Sequence, residues 1–250
     1  MDFTLTEFEG ELLDLGRSYA EREIAPVAAR AWHDERCPTE LLRGLGELGL
    51  LGPLVPEKWG GIGSTTVGYV ALLEALATVD PSIATAWQAH CTIGSLPLLL
   101  FADDDQRERW LRPLAEGRQL GAFGLTEPGA GSDVRSLRTR AEQVSGGWVL
   151  NGQKAFITNA GTDMSFGVTV LARTGEDAAG KPFKKEAAMA KLKASQVATS
   201  VVSEAVQIFG GAGYMLESDV ARFYCDAKVL EIGEGTNEIQ RLVIARELGC

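Results

Sequence analysis

The chain carries one acidic residue in a setting that would leave its carboxylate open to a pocket. Glu234 lies between Gly233 and Gly235, just before Thr236, which predicts the N-cap of a final helix. Because neither neighbour has a side chain, the carboxylate is free to face a pocket. A second interpretation stays open, since an acidic residue here would also stabilise the positive end of the following helix.

Three other segments combine glycines with polar or aromatic side chains. The first, at 125–133, reads Leu-Thr-Glu-Pro-Gly-Ala-Gly-Ser-Asp and predicts a tight loop that a ligand can approach closely. The second, at 152–159, reads Gly-Gln-Lys-Ala-Phe-Ile-Thr-Asn and suits stacking beside a planar ring. The third, at 207–214, reads Gln-Ile-Phe-Gly-Gly-Ala-Gly-Tyr and suits a backbone cradle for a phosphate or ribose. Each also has a structural explanation, respectively a surface turn, a half-buried strand and a helix C-cap.

Composition narrows the class of protein. Of 250 residues, 45% are hydrophobic and 23% are charged, which predicts a packed core rather than disorder. The formal net charge of −10 argues against nucleic acid or an anionic membrane as the partner. The opening residues lack a basic start and an apolar core, so we expect no secretory signal, and the apolar stretches are too short to span a bilayer. Four cysteines without metal-ligand spacing predict no metal site and indicate a cytoplasmic location.

The elements that would position these segments begin with helices. Thr6 with Glu9 and Asp103 with Gln106 form capping-box patterns, and Asp80 precedes a proline suited to a first helical turn. From residue 119 the pattern changes to short β-type runs, at 120–125, 138–144, 148–150, 155–158 and 166–172. After a polar linker at 175–182, helices are predicted at 183–208, near 218–230 and from 237 onward.

This order of helices, small sheet and helices is an α+β arrangement. Gly146-Gly147 and Asn151-Gly152 are typical of hairpin turns. No GxGxxG motif follows a strand, so a Rossmann nucleotide site is not supported. Four residues in the predicted helices near 74–100 have two possible roles. They could line a pocket or belong to the ordinary core and helix surface, and they are Glu74, Trp87, Gln88 and His90.

Together, and in this order, the four segments resemble the acyl-CoA dehydrogenase family. Shorter matches extend along the chain, at Pro56–Gly61, Leu150–Gly152, Ala187–Ser195 and Ile239–Leu248. The resemblance implies a mainly α fold with a small central antiparallel β-domain, and FAD between the domains. It divides the chain into an N-terminal helical domain at 1–118, a partial β-domain at 119–175 and a partial C-terminal helical domain at 176–250.

The resemblance also assigns site residues. Glu234 matches the catalytic base, and Ser132 and Gly235 match contacts to the acyl-CoA substrate. The positions that match FAD contacts are Phe123, Leu125, Thr126, Gly131, Ser132, Phe156, Ile157, Thr158, Gln207, Gly210, Gly211, Thr236 and Glu238. Many relatives carry Trp at the position of Phe156 and Gln at that of Glu238.

The mechanism that these matches imply is a flavin-dependent α,β-dehydrogenation. The base removes an α-proton from the thioester while a β-hydride passes to FAD, which leaves a trans-2-enoyl-CoA. The implied electron acceptor is an electron-transfer flavoprotein. The implied assembly is a homo-oligomer, because relatives contact FAD with the 207–214 stretch of a neighbouring subunit. An acyl-CoA oxidase would share the base and the cofactor but would reduce oxygen directly.

The chain departs from the family in length, since it is roughly a third shorter than a typical relative. The match stops near Arg173-Thr174 and resumes near Gly180–Phe183. The rest of the β-domain and the first two long helices of the C-terminal bundle have no counterpart between those points. An alternative function is therefore a truncated, non-catalytic relative that acts as a compact scaffold or weak binder.

Lysines mark one face of the helix that follows this gap, namely Lys184, Lys185, Lys191 and Lys193. Lys193 stands where the family pattern has an apolar residue. One hypothesis is that this face became solvated when its packing partners were lost. A routine surface charge explains the same residue equally well.

Overall fold

The computed structural model describes residues 3–174 and 185–248, which form two compact units. The first unit contains the described residues up to Glu127 together with Gln153–Leu171. The second contains Pro128–Gly152 and the described residues from Ala172 onward. The predicted linker at 175–182, the predicted helix start at Phe183, Lys184 and the side chain of Lys185 lie outside what the structure describes.

Short helices build most of the first unit. They are α1 (Glu7–Tyr19), α2 (Ala25–His33), α3 (Thr39–Glu47), α4 (Thr66–Ala77), α5 (Pro81–Ala89), α6 (Leu96–Phe101), α7 (Asp104–Gln106) and α8 (Arg112–Ala115). Three π-helical turns continue α1, α5 and α7, at Ala20–Ile24, His90–Gly94 and Arg107–Leu111. The predicted start signals are confirmed, because Thr6 with Glu9 and Asp103 with Gln106 form capping boxes and Asp80 accepts a hydrogen bond from the Ile83 N–H.

Glu9 extends its capping role beyond α1. Its carboxylate also accepts hydrogen bonds from the Thr65 N–H at 2.9 Å, the Thr65 hydroxyl at 2.6 Å and the Ser64 hydroxyl at 3.1 Å. The hydrogen bonds, that from the Thr65 hydroxyl foremost, lower the pKa of Glu9 to about 2. One carboxylate therefore joins the beginnings of α1 and α4.

Trp87 and His90 pack in the core of the first unit. Trp87 is fully buried, stacks on Tyr69 with ring centroids 5.2 Å apart and donates its indole N–H to the Leu50 carbonyl. His90 is also fully buried, and its Nδ1 accepts the Gly121 N–H while Nε2 lies 3.1 Å from the Leu51 carbonyl oxygen. These two side chains are therefore core residues, the second of the two interpretations left open by the sequence.

Two small sheets accompany the helices. The strands are β1 (Leu120–Gly124), β2 (Arg140–Val144), β3 (Gly147–Asn151) and β4 (Ser165–Val170). In the second unit, β2 and β3 form the expected antiparallel hairpin, with Glu142 opposite Val149. In the first unit, β1 and β4 pair in parallel, with Phe123 opposite Thr169. A mainly helical fold with a small sheet is thus confirmed, but the antiparallel prediction is wrong for β1 and β4, whose connection is long enough for a parallel crossover.

The strand predicted at 155–158 does not form. Phe156 and Asn159 adopt positive φ angles of 57° and 68°, which are incompatible with an extended strand. The Asn159 side chain donates to the Ala86 carbonyl at 2.9 Å, a contact that holds the end of this segment against α5. A tertiary contact therefore overrides the local β-propensity of these residues.

Helices build most of the described second unit. They are α9 (Lys185–Phe209), α10 (Gly211–Tyr214), α11 (Asp219–Ile232) and α12 (Asn237–Leu248). Both α11 and α12 pack against α9. Lys193 on α9 is exposed, as the solvated-face hypothesis expects, but Lys191 is half-buried and points to neighbouring elements. The hypothesis is thus wrong for Lys191. Across residues 3–174 and 185–248, no helix combines the length and the apolar content needed to cross a membrane.

Candidate functional site

In the first unit, two of the segments predicted to contact FAD are tied together. The Lys154 ammonium lies 3.0 Å from the Glu127 carboxylate, and both side chains are largely buried, at 11% and 6% exposure. The same ammonium donates to the Leu125 carbonyl at 2.9 Å, and the Ala155 N–H donates to the Thr126 carbonyl at 2.9 Å. The loop after β1 and the segment before Phe156 therefore form one structure held by a buried ion pair.

Phe156 has the exposure and the backbone conformation of a displayed residue. Its side chain is 94% exposed, although a phenyl ring is normally buried. Its φ of 57° is rare for a non-glycine residue and persists only where the surroundings impose it. Ile157 beside it is half-buried and Thr158 is exposed. An aromatic ring held in this way can stack on a planar ring system such as that of a flavin.

The other predicted FAD contacts of the first unit lie at the end of β1. Phe123 is half-buried within the strand, and Leu125 and Thr126 are half-buried in the loop that follows it. Leu125 and Thr126 adjoin the Lys154–Glu127 ion pair through hydrogen bonds to Lys154 and Ala155. The structure brings together, in one unit, the two predicted groups at 123–126 and 156–158.

In the second unit, Gly131 and Ser132 lie on an exposed loop. A Cβ atom added at Gly131 or at Gly129 would meet nothing within 4 Å. Packing within the chain therefore does not require glycine at either position, and a ligand is free to approach this backbone. Ser132 is exposed, as a residue that contacts a substrate needs to be.

Glu234 occupies a strained turn between α11 and α12. Its φ is 53° and that of Gly235 is 89°, so two successive residues have left-handed backbones. The Gln240 side chain donates to the carbonyl oxygens of both residues, at 3.1 Å and 3.3 Å. Thr236 caps α12 as predicted, since its hydroxyl accepts the Ile239 N–H at 3.3 Å. The turn presents the Glu234 side chain on the exposed surface of the second unit.

A network of side-chain hydrogen bonds joins this turn to α9. The Lys191 ammonium donates to the Gly235 carbonyl at 2.8 Å and to Asn237 Oδ1 at 3.2 Å. The Ser195 hydroxyl, one helical turn further along α9, donates to the same Asn237 oxygen at 2.8 Å. Ser195 and Asn237 are 3% and 4% exposed. Desolvation lowers the pKa of Lys191, and attraction to Glu234 and Glu231 opposes this shift.

Lys191 is absent from the residues assigned by the sequence. The only local signal is its spacing of four from Ser195, which places both side chains on one helix face. That spacing does not say which element the face meets. The pairing of Lys191 with Gly235, 44 residues away, depends on how α9 packs against the turn.

A small cavity of about 160 Å³ opens beside the beginning of α12. Its lining residues are Lys228, Glu231, Ile232, Thr236, Asn237, Glu238 and Arg241. Thr236 and Glu238, two predicted FAD contacts, therefore share one concave surface. Hydrogen bonds donated to its carboxylate by its own backbone N–H and by the Thr236 hydroxyl lower the pKa of Glu238. The cavity is large enough for part of a dinucleotide only, since small-molecule sites typically reach about 300 Å³ or more.

Gln207, Gly210 and Gly211 lie at the exposed end of α9. Gly210 ends the helix with a φ of 58° and a ψ of −137°, a conformation that glycine adopts readily but that differs from the left-handed cap expected of a C-terminal glycine. Apolar side chains around them are strongly exposed, including Ile208 at 81% and Tyr214 at 82%. Exposed apolar surface of this kind marks an interaction site more often than an ordinary monomer surface.

Comparison with protein families supplies three matches to this chain. The acyl-CoA dehydrogenase N-terminal domain matches residues 6–118, the middle domain residues 122–203 and the C-terminal domain residues 163–249. A probable acyl-CoA dehydrogenase of Bacillus subtilis, YngJ, is 29% identical, over 99% of this chain and 100% of its own length. That alignment spans 380 positions against the 250 residues of this chain, so some 130 positions face a gap.

Other relatives and solved structures agree with these matches. The short-chain specific acyl-CoA dehydrogenase of Megasphaera elsdenii is 29% identical, over 97% of this chain and 98% of that protein. The butyryl-CoA dehydrogenase structure from Megasphaera elsdenii superposes with a TM-score of 0.92 at 27% identity, and covers all of both chains. An acyl-CoA dehydrogenase complexed with FAD, from Bacillus anthracis, shares the fold with a TM-score of 0.79 at 21% identity, over 98% of this chain and 67% of that one.

Proposed function

Since this chain belongs to the acyl-CoA dehydrogenase family of FAD-dependent oxidoreductases, we propose that it converts an acyl-CoA to a trans-2-enoyl-CoA with Glu234 as the base. The observation that carries this proposal is the strained turn at Glu234 and Gly235. Left-handed backbone at a non-glycine residue is costly, and such strain is typical of active sites. A purely structural acidic residue before α12 would not need it.

Glu234 removes the α-proton of the thioester. The electron pair of that C–H bond becomes the new double bond between Cα and Cβ, and the carboxylate becomes a carboxylic acid. The hydride that leaves Cβ would be accepted by FAD when it is bound, which balances the two-electron oxidation. Glu234 returns its proton to water after the product has left. Substrate binding excludes water from the carboxylate and so strengthens it as a base.

Residues of the first unit fit an FAD ligand. The exposed Phe156 ring offers an apolar face to a planar ring system, and the Lys154–Glu127 ion pair fixes the backbone on either side. In the second unit, Thr236 and Glu238 line a cavity that fits a polar portion of the cofactor. We assign FAD contacts to these residues and to the other positions matched by sequence, and substrate contacts to Ser132 and Gly235.

We also infer the electron acceptor and the assembly. An electron-transfer flavoprotein would reoxidise the enzyme. A similar chain, with a TM-score of 0.91 at 25% identity, comes from a structure titled for the electron transferring flavoprotein of Acidaminococcus fermentans. A homo-oligomer would cover the exposed apolar side chains around Ile208 and Tyr214. The cytoplasmic location remains a prediction.

The Glu234→Gln variant tests the assignment of the base. It keeps the size and hydrogen-bonding capacity of the side chain but cannot accept the proton, so turnover should fall by at least 100-fold. FAD binding, followed by the visible flavin absorbance, should stay unchanged. Turnover is measured with a series of straight-chain acyl-CoA substrates and an artificial electron acceptor.

Glu204→Gln is the matched control, because Glu204 is exposed on α9 and the chemical change is the same. It should leave turnover at the wild-type level. Full turnover by Glu234→Gln would refute the proposed base. The same assay without the artificial acceptor, followed by oxygen consumption, separates a dehydrogenase from an oxidase.

The shortened chain supports one other candidate function, a non-catalytic scaffold or weak binder. Some 130 alignment positions of the Bacillus relative have no counterpart here, and the middle-domain and C-terminal matches overlap at 163–203. We infer that the deletion falls where these two domains join. A purified chain that is colourless and gains no flavin absorbance on addition of FAD would support the scaffold and contradict the enzyme.

A further inference from the structure

We propose that Lys191 is a positioning residue. From α9, it holds the strained turn of Glu234 in its productive conformation. The inference rests on the proposed function, because it gives Lys191 its role through the base. Lys191 does not need to touch the substrate or the cofactor. Its ammonium acts on the backbone of the residue next to Glu234, at the Gly235 carbonyl.

The first argument concerns strain. Glu234 has a positive φ angle, and such a conformation at a non-glycine residue persists only when surrounding contacts over-determine it. Side-chain donors supply those contacts here. Gln240 donates to the carbonyls of Glu234 and Gly235 from α12, and Lys191 donates to that of Gly235 from α9. The two helices therefore hold the turn from different directions.

The second argument concerns burial. Lys191 is half-buried, and desolvation lowers its pKa, so the ammonium is retained there against an energetic penalty. A methionine would fill a similar volume without this penalty. The cation is useful only for the groups that it contacts, which are the Gly235 carbonyl and Asn237 Oδ1.

The third argument concerns the rigidity of the network. Asn237 is buried, and its Oδ1 accepts from both Lys191 and Ser195 while its Nδ2 lies 3.4 Å from Glu231. The first residue of α12 is thereby joined to α9 and α11. Because a base displaced by about 1 Å can lose about 100-fold in rate, a turn anchored on three helices matters to the chemistry.

Charged groups from each packed element face Lys191. Glu231 comes from α11, Glu234 from the turn and Glu238 from α12. Their attraction opposes the loss of the Lys191 proton, which desolvation favours.

The test compares Lys191→Met with Lys193→Met. Both substitutions remove one lysine from α9, but Lys193 is exposed and lies two residues away. We expect Lys191→Met to lower kcat by about 10-fold to 100-fold with KM nearly unchanged. Lys193→Met should match the wild type. Lys191→Arg should recover most of the loss, since a guanidinium can donate to the same carbonyl.

A second readout isolates proton abstraction from oxidation. A 3-thiaacyl-CoA has α-hydrogens but carries sulfur in place of the β-carbon, so it has no hydride to lose. Exchange of its α-hydrogens for solvent deuterium, measured by mass spectrometry, therefore reports the base alone. Lys191→Met should slow this exchange by the same factor as kcat. If Lys191→Met fails to fold, Ser195→Ala replaces it and should give a smaller loss in the same direction.

Glu234→Gln is measured beside these variants to separate the two hypotheses. Unchanged exchange and turnover in Glu234→Gln would overturn the proposed function itself. If Glu234→Gln abolishes both but Lys191→Met equals Lys193→Met in kcat, KM and exchange, only the positioning role is wrong. A rise in KM with unchanged kcat in Lys191→Met would equally contradict it.

Discussion

Replacing Lys154 by methionine removes the cation that lies 3.0 Å from the buried Glu127 carboxylate. Both side chains are at most 11% exposed, so solvent cannot compensate the remaining charge as it would at a surface. The change also removes the hydrogen bond to the Leu125 carbonyl, at 2.9 Å. Methionine keeps most of the side-chain volume, so a cavity contributes little to the expected loss.

The size of the expected loss of stability depends on how the Glu127 carboxylate responds when its cation is removed. Removing one partner of a buried ion pair typically costs about 3–5 kcal/mol. A carboxyl group can limit this loss by taking up a proton, which at pH 7 costs about 3–4 kcal/mol for an ordinary carboxyl and at pH 5 about 1 kcal/mol. We therefore expect Lys154→Met to lower the free energy of unfolding by about 3–4 kcal/mol at pH 7 and by clearly less at pH 5.

Urea unfolding of the protein without added FAD, followed by tryptophan fluorescence, measures this free energy. Arg43→Met is the matched control. The Arg43–Asp163 ion pair has the same 3.0 Å separation, but its side chains are 47% and 64% exposed. Exposed pairs contribute only about 0–1 kcal/mol, so the control should change stability little at either pH.

The double variant Lys154→Met with Glu127→Gln should recover part of the loss, because no ionised group is then left beside methionine. Affinity for FAD should also fall in Lys154→Met, since the ion pair joins two segments proposed to contact the cofactor. If Lys154→Met costs no more than Arg43→Met, or if its cost does not fall between pH 7 and pH 5, the reasoning is refuted.

Two further predictions concern pH and backbone strain. Burial lowers the pKa of His90 from 6.5 to about 4, so its contribution to stability is complete above pH 6.5 and is lost as the pH falls towards 4. Between pH 7 and pH 5, the loss of this contribution lowers the free energy of unfolding by about 2 kcal/mol. His90→Gln should remove this pH dependence, as measured by urea unfolding at each pH. Substitution of the exposed His33 is the control and should leave the pH dependence in place. At Gly235, with a φ of 89°, an added Cβ would lie 2.8 Å from the Gln240 side-chain nitrogen. Gly235→Ala should therefore cost about 1–3 kcal/mol in thermal unfolding and slow α-hydrogen exchange, whereas Gly233→Ala, at a φ of −66°, should cost less; equal costs would show that the turn is not strained.

The helix starts and the four glycine-containing segments could be identified from the sequence. Thr6 with Glu9 and Asp103 with Gln106 cap their helices as their spacing predicts, because each partner lies within one turn of the other. The four glycine-containing segments identified the family. The structure adds that two of them, the loop after β1 and the segment before Phe156, are physically joined.

Phe156 and Lys191 show where local patterns fail. The β-type run at 155–158 predicts a strand, but a contact from Asn159 to α5 accompanies a left-handed turn that exposes the Phe156 ring. Lys191 belongs to a lysine-rich face, yet it points away from solvent to the Gly235 carbonyl. In both cases the deciding contact joins residues more than 40 positions apart.

The sequence by itself determined the family, the helix caps and the identity of the acidic residue proposed as the base. These features depend on residue types and on contacts within about one helical turn. Tertiary structure alone decided the parallel pairing of β1 with β4, the exposure of Phe156 and the network beneath Glu234. The physical reason is that a side chain's nearest partners across elements are chosen by packing, and packing depends on the whole unit rather than on the neighbouring residues.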